Sequence, residues 1–549
     1  MKKMMMTLAA GRLVFTIVLC CAMTTTVFTA CTDNDDNPVT PTPEPEQLAE
    51  YTIMYYGHGG GNREYYYLSK IGDFYHAGEE AYKRVNVAVQ YKFSTAENMK
   101  AQGGYDDNAC QEFGGKTVRW TVDPTKSFQE QVYSRSNIYG VDNADHTCPD
   151  SLTNFINWAA KTCPAKKYML IVHDHGGGYL PHDELPETTP ATTRGLVYDD
   201  GYNNKHFTAK SFTRAIRQAD IHIETVFMDA CLMNCLEYQF ELQDLCDYVI
   251  APTYSKPSID GAYRMLPKLL GQPSVDIEQA LDDYCKACVA SWDEAWKIDE
   301  TTPLYTDMTV TRTANIAHLG EVLREFTDRL CDTYQNGTEA QRQAIDSCTA
   351  RAIKVQLNQP NYDAIKYVKS IVNALPEVYG EEFYNRMKEA FNNCILGQYF
   401  SKYLTAHNYM VDYSVMLGVQ GAYSYAFWKT DQQTGIQTPY AEIVYSGDGE
   451  YHYFFLNPTD DPQYYRRELY GETQNWPSTL ADTYEQLAFD RAVGWSRWLR
   501  LNRQWPNLFC PKDLYFELPM PEEEKIRAVR LNLKHREHGV HRDNAHDKR

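Results

Sequence analysis

Two residues of this sequence, His175 and Cys231, are a candidate pair for nucleophilic catalysis. His175 lies in the run Asp-His-Gly-Gly-Gly (174–178), and Cys231 lies in Asp-Ala-Cys-Leu-Met (229–233). A cysteine thiol is mostly protonated at neutral pH, and a nearby imidazole can take its proton or stabilise its thiolate. Because the glycines let the backbone approach a substrate closely, the N–H groups of Gly176 and Cys231 are candidates for binding a developing oxyanion.

The two motifs follow segments that predict neighbouring strands. Residues 168–173 form a continuous apolar run, as expected for a strand covered on both faces, and residues 223–228 form a second strand. A helical pattern precedes each of them. The chain therefore predicts repeated strand–helix–strand units and a parallel sheet, with further strands at 85–91 and 116–122. Since ligands bind at the carboxyl edge of such sheets, the two motifs are expected to meet there.

The residues around Cys231 suggest further roles. A helix predicted from Leu232 onward would place Cys231 near a helix N-terminus, where the pKa of a thiol is lowered. Cys235 falls one helical turn later and lacks the Asp-Ala context. Strand alternation places Asp229 on the same side as Cys231, facing a pocket where a buried carboxylate favours a cationic guest. The alternative is that Asp229 only caps the following helix.

Three other polar residues near strand ends have less specific signals. His58 begins a second His-Gly-Gly-Gly after the strand at 51–56, which is typical of an esterase oxyanion loop, but the chain has no Gly-x-Ser-x-Gly to accompany it. His58 is therefore expected to be a loop residue that lines the cleft. His173 is expected to be a packed histidine, and Asp174 either orients an imidazole or, as we favour, caps the turn.

The ordered pair of motifs resembles the clostripain-like cysteine peptidases, which belong to the wider caspase, legumain and gingipain group. The likeness covers about Tyr51 to Leu270 and, more loosely, later segments up to about Leu501. It implies an α/β fold with a caspase-like, mostly parallel sheet flanked by helices and a C-terminal α+β subdomain. It also implies a cysteine peptidase that acts through His175 and Cys231.

The resemblance has further implications for the site. In this family the aspartate at the place of Asp229 receives the Arg or Lys side chain that precedes the scissile bond. Family members are commonly activated by self-cleavage between the two motifs, and Arg194, which closes the polar loop 179–193, is the first candidate, with Lys205 second. Some members depend on calcium, so calcium stays open as a cofactor, although the sequence has no EF-hand loop and predicts no metal site. Where the family usually carries a Ser-Glu segment, this chain has Thr-Tyr-Ser-Lys (253–256).

The beginning of the chain predicts export. Residues 1–31 place Lys2 and Lys3 before an apolar core too short to span a membrane. The sequence Phe-Thr-Ala-Cys resembles a lipobox with Cys31 as the acylated residue, and the acidic run 33–36 is similar to the surface-export signal of Bacteroidota lipoproteins. We therefore expect a surface-exposed outer-membrane lipoprotein of a Gram-negative bacterium, attached by its lipid alone. The alternative is a soluble secreted protein.

Changes in composition along the sequence predict how the rest of the chain is divided into domains. A Pro/Thr/Asp-rich tether at 32–49 precedes a catalytic domain at 50–273, a C-terminal subdomain at 274–518 with a closing helix at 487–501, and a charged tail at 519–549. The hydrophobic content of 43% suits a large core, and the net charge of −20 argues against nucleic acid as a partner. Fifteen cysteines, of which three lie in the export segment and one is the candidate nucleophile, leave an odd number that argues against a complete disulfide set.

Two functions from different classes are consistent with these features. The first is a cell-surface cysteine endopeptidase that cleaves protein or peptide substrates after Arg or Lys and is activated by self-cleavage. The second is a non-catalytic surface lipoprotein that binds peptides or glycans on a peptidase-like fold. The presence of both His175 and Cys231 favours the enzyme.

Overall fold

The computed structural model describes residues 48–179, 195–202, 205–259, 261–295, 304, 306–350, 362–406, 416–417, 426–430, 437–445, 451–455 and 484–501. The export segment with Cys31, residues 32–47 of the predicted tether, Arg194 and the tail from 519 lie outside these residues, while Ala49, predicted in the tether, already opens the first strand. No helix in the described ranges is both long and apolar enough to cross a membrane.

The strands, numbered in chain order, are β1 Ala49–His58, β2 Val85–Lys92, β3 Thr117–Thr121, β4 Ile138–Tyr139, β5 Ala165–His173, β6 Leu196–Asp199, β7 Lys205–Phe207, β8 Thr225–Asp229, β9 Tyr248–Ala251, β10 Asp307–Arg312, β11 Tyr362–Asp363, β12 Ile395–Phe400, β13 Met416–Leu417, β14 Ala426–Thr430, β15 Gln437–Tyr445 and β16 Tyr451–Phe455. The helices are α1 Glu64–Phe74, α2 Glu79–Tyr82, α3 Ala96–Gln102, α4 Asp107–Phe113, α5 Phe128–Val132, α6 Pro149–Thr162, α7 Ala209–Arg217, α8 Leu236–Leu242, α9 Met265–Leu270, α10 Ile277–Ala295, α11 Ile316–Asn336, α12 Glu339–Ala350, α13 Ala364–Ala374, α14 Pro376–Tyr379, α15 Phe383–Cys394, α16 Lys402–Ala406, α17 Ala488–Val493 and α18 Trp495–Leu501.

A nine-stranded sheet organises the molecule, in the order β12-β10-β9-β8-β5-β1-β2-β3-β4. The five middle strands, β9-β8-β5-β1-β2, are parallel to one another. The strands at both edges pair antiparallel. The predicted mostly parallel α/β sheet is confirmed. The inclusion of segment 116–122 in the parallel set was wrong, because β3 runs antiparallel to β2.

Helices cover both faces of the sheet, which explains why its middle strands are apolar on both sides. Alternation along β5 sends Leu170 and Val172 into a core shared with α6, α7, α8 and α11. It sends Met169 and Ile171 into a second core shared with α1, α9 and α10. The polar groups at the strand ends are therefore held between two packed layers.

The second half of the chain contributes directly to this architecture. Strands β10 and β12 extend the central sheet beyond β9. Strands β14, β15 and β16 form a separate antiparallel sheet. The closing helix expected at 487–501 is two helices, α17 and α18, because Gly494 between them adopts a left-handed φ of 74° that ends α17.

Candidate active site

The register of β5 and β8 brings the two sequence motifs together. The strands are parallel, and His173 pairs with Asp229 at their carboxyl ends. His175 and Cys231 each lie two residues beyond that pair. Gly176 packs directly on the peptide of Cys231, since a Cβ added to Gly176 would lie 2.4 Å from the Cys231 carbonyl oxygen and 2.9 Å from its nitrogen. A glycine is therefore required here, and the histidine loop lies against the cysteine turn.

His175 is held by groups from two other segments. Its Nε2 lies 2.8 Å from Oδ1 of Asn62, and its ring stacks on Tyr198 with 5.7 Å between centroids. With the Asn62 oxygen as acceptor, Nε2 carries the proton and Nδ1 keeps the lone pair of a base. Burial lowers the pKa of His175, against the opposing effect of Asp174, so the neutral imidazole predominates at neutral pH.

Cys231 lies in a turn rather than at the start of a helix. Leu232 has a left-handed φ of 64°, which is uncommon for a residue with a side chain. Its N–H donates to the Tyr254 carbonyl oxygen at 3.1 Å, and this bond to the loop after β9 fixes the turn. The helix predicted from Leu232 begins only at Leu236. The expectation that Cys231 lies near a helix N-terminus was therefore wrong.

The two backbone groups expected at the oxyanion position belong to these turns. Gly176 forms an isolated antiparallel bridge with Leu196. The hydrogen bonds of that bridge run from the Gly177 N–H to the Gly195 oxygen and from the Val197 N–H to the His175 oxygen. The N–H of Gly176 points away from β6 in such a bridge.

Asp229 is a buried strand residue with partners of its own. Its Oδ1 forms an ion pair with Nζ of Lys256, and its Oδ2 accepts a hydrogen bond from the Tyr263 hydroxyl. Burial alone would raise the pKa of Asp229, but Lys256 and Lys70 outweigh it and hold the pKa below its usual value. The capping alternative is wrong, because the N-cap residue of α8 is Cys235. The carboxylate that the sequence suggested for an open pocket is already paired in this structure.

Two residues near the site were missed by sequence reasoning, and the first is Lys256. Its backbone N–H lies 3.2 Å from Sγ of Cys231, and its Nζ lies 3.1 Å from the carbonyl oxygen of Asp229. The available signal was the replacement of the family's Ser-Glu segment by Thr-Tyr-Ser-Lys. Asn62 was missed as well, because nothing in a glycine-rich loop shows which side chain reaches a histidine more than a hundred residues away.

The second His-Gly-Gly-Gly, at residues 58–61, leads into the loop that packs against the His175 loop. His58 is the last residue of β1 and is fully buried, not a loop residue in the cleft. Its Nδ1 lies 2.7 Å from the Gly60 nitrogen and 3.4 Å from Asp174 Oδ2, and its Nε2 faces Asp200 Oδ1 at 3.2 Å. A Cβ at Gly60 would lie 2.4 Å from Asp174 Oδ1 and 2.9 Å from Cδ2 of His175. The loop after β1 thus packs on the His175 loop.

His58, Asp199 and Asp200 are the group of three within the described ranges whose atoms lie close enough to hold a metal ion. The donor set does not fit calcium, which takes six to eight oxygen ligands. Nζ of Lys92 already lies 2.6 and 2.8 Å from the two carboxylate oxygens of Asp199. The Oδ2 of Asp200 accepts a hydrogen bond from Asn98 at 2.6 Å. The cluster is an internal ion-pair network.

The remaining candidates are buried. His173 contacts the Tyr55 hydroxyl through Nδ1 and lies 3.6 Å from Asp229, so the expectation of a packed histidine is confirmed. Asp174 accepts a hydrogen bond from the Tyr198 N–H at 2.7 Å and thereby ties the His175 loop to β6. Burial raises the pKa of the Cys235 thiol well above its ordinary value, which leaves it unreactive.

Comparison with known families identifies the class of enzyme. The model of the Clostripain family (Peptidase_C11) matches residues 75–502, which is most of the chain. The chain belongs to the clostripain family. The resemblance inferred from the two motifs is thereby confirmed, and the protein is a cysteine protease, a hydrolase of protein or peptide substrates.

Solved structures of C11 cysteine proteases are similar to this chain at low identity. A secreted C11 cysteine protease from Bacteroides thetaiotaomicron, bound to an irreversible peptide inhibitor, is 15% identical, with 79% of this chain and 99% of that chain covered and a TM-score of 0.45. An inactive zymogen C11 protease from Parabacteroides distasonis is 14% identical, with 82% and 99% covered and a TM-score of 0.46. No match was found among curated protein sequences.

The contact between Asn62 and His175 predicts a pH dependence of activity that can be tested. Asn62→Asp keeps the acceptor for Nε2 of His175 but adds a charge that raises the pKa of the imidazole. If neutral His175 is the base, activity falls as pH drops through that pKa, so the acid limb of kcat/KM should move to higher pH. Asn62→Ala should lower kcat by about 10-fold to 10²-fold through misplacement of the ring.

The control is Asn137→Ala, which removes a 2.7 Å hydrogen bond to the Gln131 oxygen in the connection between β3 and β4. This variant should keep the wild-type pH profile. An acid limb that stays in place in Asn62→Asp would show that Asn62 does not act on the catalytic imidazole.

Proposed function

We propose that this protein is a cysteine endopeptidase in which His175 activates Cys231. The observation that carries the proposal is the parallel register of β5 and β8, with Gly176 packed on the Cys231 peptide. That arrangement, which packs the loop of His175 against the turn of Cys231 at the carboxyl edge of the sheet, supports a role for the neutral imidazole as the base.

The proposed reaction has two stages. His175 takes the proton of the Cys231 thiol as Sγ attacks the substrate carbonyl carbon, and the N–H groups of Gly176 and Cys231 donate to the resulting oxyanion. The intermediate collapses as His175 gives its proton to the leaving amine, which leaves a thioester on Cys231. His175 then takes a proton from water as the hydroxide adds to the thioester carbonyl carbon. The Cys231 thiolate is expelled, the new acid departs, and His175 returns its proton to Cys231.

We also propose that Asp229 receives an Arg or Lys side chain that precedes the scissile bond. Its position two residues before Cys231 on β8, its burial and its charge support this role. A buried carboxylate is strongly stabilised by a cationic partner, as its pairing with Lys256 illustrates. A guest cation can take that place once Lys256 leaves it.

Activation by self-cleavage belongs to the same proposal. Arg194 matches the proposed specificity, precedes the described strand β6, and lies between the two motifs. Lys205 is the less suitable candidate, because its Nζ pairs with Asp145 at 2.7 Å. Mass spectrometry of the purified chain should find a cut after Arg194 in wild type and none in Cys231→Ala.

The sequence also supports a location on the cell surface. Cys31 would carry the lipid, and the acidic residues behind it would direct the protein to the outer face of the outer membrane. Replacing Asp33, Asp35 and Asp36 by Ala should leave the protein facing the periplasm. Unchanged digestion of the variant by protease added to whole cells would contradict this location.

Hydrolysis of a peptide library tests the proposed function as a whole. Wild type should cut at internal bonds after Arg or Lys, and the cut positions define the specificity directly. Binding of the library peptides without any hydrolysis would favour the non-catalytic alternative.

A further inference from the structure

Lys256 occupies the place that the proposed function assigns to the substrate side chain. Its side chain is 4% exposed, and its Nζ contacts the carboxylate of Asp229 and, at 3.1 Å, the carbonyl oxygen of the same residue. The Tyr263 hydroxyl engages the other carboxylate oxygen. Both oxygens of Asp229 are therefore bound by groups of the chain itself.

The backbone of Lys256 covers the nucleophile. Its N–H lies 3.2 Å from Sγ of Cys231, and its carbonyl oxygen lies 3.7 Å from the same sulfur. One residue thus contacts both Sγ and the carboxylate two positions before it. A substrate residue that precedes a scissile bond must make the same pair of contacts.

The charges around Asp229 leave no unpaired negative charge in its pocket while Lys256 is bound there. Lys70 lies beside the loop and donates from Nζ to the Pro257 carbonyl oxygen at 3.4 Å. Burial, together with the positive charge of Lys256, lowers the pKa of Lys70 to about 7. A second cation is thus disfavoured next to the Asp229–Lys256 pair, and an incoming Arg side chain would meet the same resistance.

We propose that Lys256 is an internal competitor of the substrate and that Arg or Lys substrates bind by displacing it from Asp229. This inference rests on the proposed function of Asp229 as the subsite for a cation. Residues 255–258, in the connection between β9 and α9, carry Lys256 in and out. Release of Lys256 uncovers Sγ of Cys231 and frees the carboxylate in one movement.

The residue after Lys256 suits a segment that occupies the site without being cut. Pro257 makes the following peptide bond a tertiary amide without an N–H. Ala262 in the same loop has a left-handed φ of 50°, a conformation that carries strain in a residue with a side chain. The bond from the Leu232 N–H to the Tyr254 carbonyl oxygen and the bond from Trp292 Nε1 to the Ile259 carbonyl oxygen anchor the loop on either side of Lys256, so the proposed movement involves residues 255–258.

Charge removal at Lys256 tests the proposal. If Lys256 is paired with Asp229 in most molecules of free enzyme, only the remaining open molecules can bind substrate, and the apparent affinity falls in proportion to their fraction. Lys256→Met should therefore raise kcat/KM for an Arg peptide by about 10–100-fold, mainly by lowering KM. Alkylation of Cys231 by iodoacetamide should become faster as well. Lys268→Met on the exposed side of α9 is the control and should behave like wild type.

A footprint on the wild-type chain gives a second test, because Lys256→Met leaves a buried carboxylate unpaired and this can impair folding. The amine of Lys256 is acetylated with acetic anhydride and quantified by peptide mapping, with exposed Lys268 as the internal reference. Acetylation of Lys256 should be slow in free enzyme and several-fold faster after Cys231 is blocked by a peptidyl ketone with Arg before the reactive group. The matching Leu ketone should have little effect.

The outcomes separate this inference from the proposed function. Suppose that wild type prefers Arg over Leu peptides but Lys256 stays protected from acetylation when the Arg ketone is bound. That result would overturn the role of Lys256 as a competitor and leave the proposed Arg/Lys specificity of Asp229 intact. Equal cutting of Arg and Leu peptides by both wild type and Lys256→Met would overturn the role of Asp229 itself. Loss of a Glu-peptide activity in Lys256→Met would show that Lys256 binds substrate and does not compete with it.

Discussion

Cys231→Ala should lower kcat/KM for an Arg peptide by about 10⁴-fold or more, because the variant has no nucleophile to form the thioester. The fold should be retained, since Cys231 is only partly buried and its alanine replacement leaves the turn bonds of Leu232 in place. Hydrolysis of the Arg peptide tests the loss of turnover, and thermal unfolding of the same preparation tests whether the fold is retained.

Cys235→Ala is the matched control, because it changes the nearest cysteine in the sequence. That thiol is fully buried at the N-cap of α8, and burial raises its pKa, so it has no role in turnover. The variant should cut the Arg peptide at the wild-type rate. Activity that is lost in Cys235→Ala and kept in Cys231→Ala would reverse the assignment.

The second large effect is expected from Asp229→Asn. The change removes the charge that stabilises a guanidinium or ammonium guest while it keeps the size of the side chain. Loss of one partner of a buried charge pair costs several kcal/mol, so kcat/KM for the Arg peptide should fall by about 10²-fold to 10³-fold. The value for a peptide with Leu in place of Arg should change little.

The ratio of the two substrates makes this test independent of the amount of folded enzyme. The variant also leaves Lys256 without its carboxylate, and the ratio cancels any resulting loss of active molecules. Wild type should strongly prefer the Arg peptide, and Asp229→Asn should largely lose that preference. An unchanged preference in the variant would show that another residue selects the cation.

The sequence was sufficient to predict the elements that carry His175 and Cys231. An uninterrupted apolar strand such as β5 is required where helices cover both faces, and the glycines after it show where the backbone must turn closely. Parallel strands end at the same edge, so the meeting of the two motifs followed from their positions. The direction of β3 did not follow, because the pattern of buried residues in a strand is the same whether it pairs parallel or antiparallel with its neighbour.

The features that the sequence did not reveal depend on contacts between distant segments. Leu232 is followed by residues that suit a helix, yet the bond from its N–H to Tyr254 holds it in a left-handed turn and delays α8 to Leu236. The pairing of Lys256 with Asp229 depends on how the loop after β9 folds back over β8. Local pattern contains no information about either contact.

The measurement that tests the central claim most directly is the site at which a peptidyl acyloxymethyl ketone with Arg before its reactive group becomes attached. The reagent needs a thiolate, an oxyanion site and a cation subsite in one place. Peptide mapping of the labelled chain should find a single adduct on Cys231, which disappears in Cys231→Ala and forms more slowly in Asp229→Asn. An adduct on Cys235, or hydrolysis of the Arg peptide by a chain whose Cys231 remains unlabelled, would contradict the account.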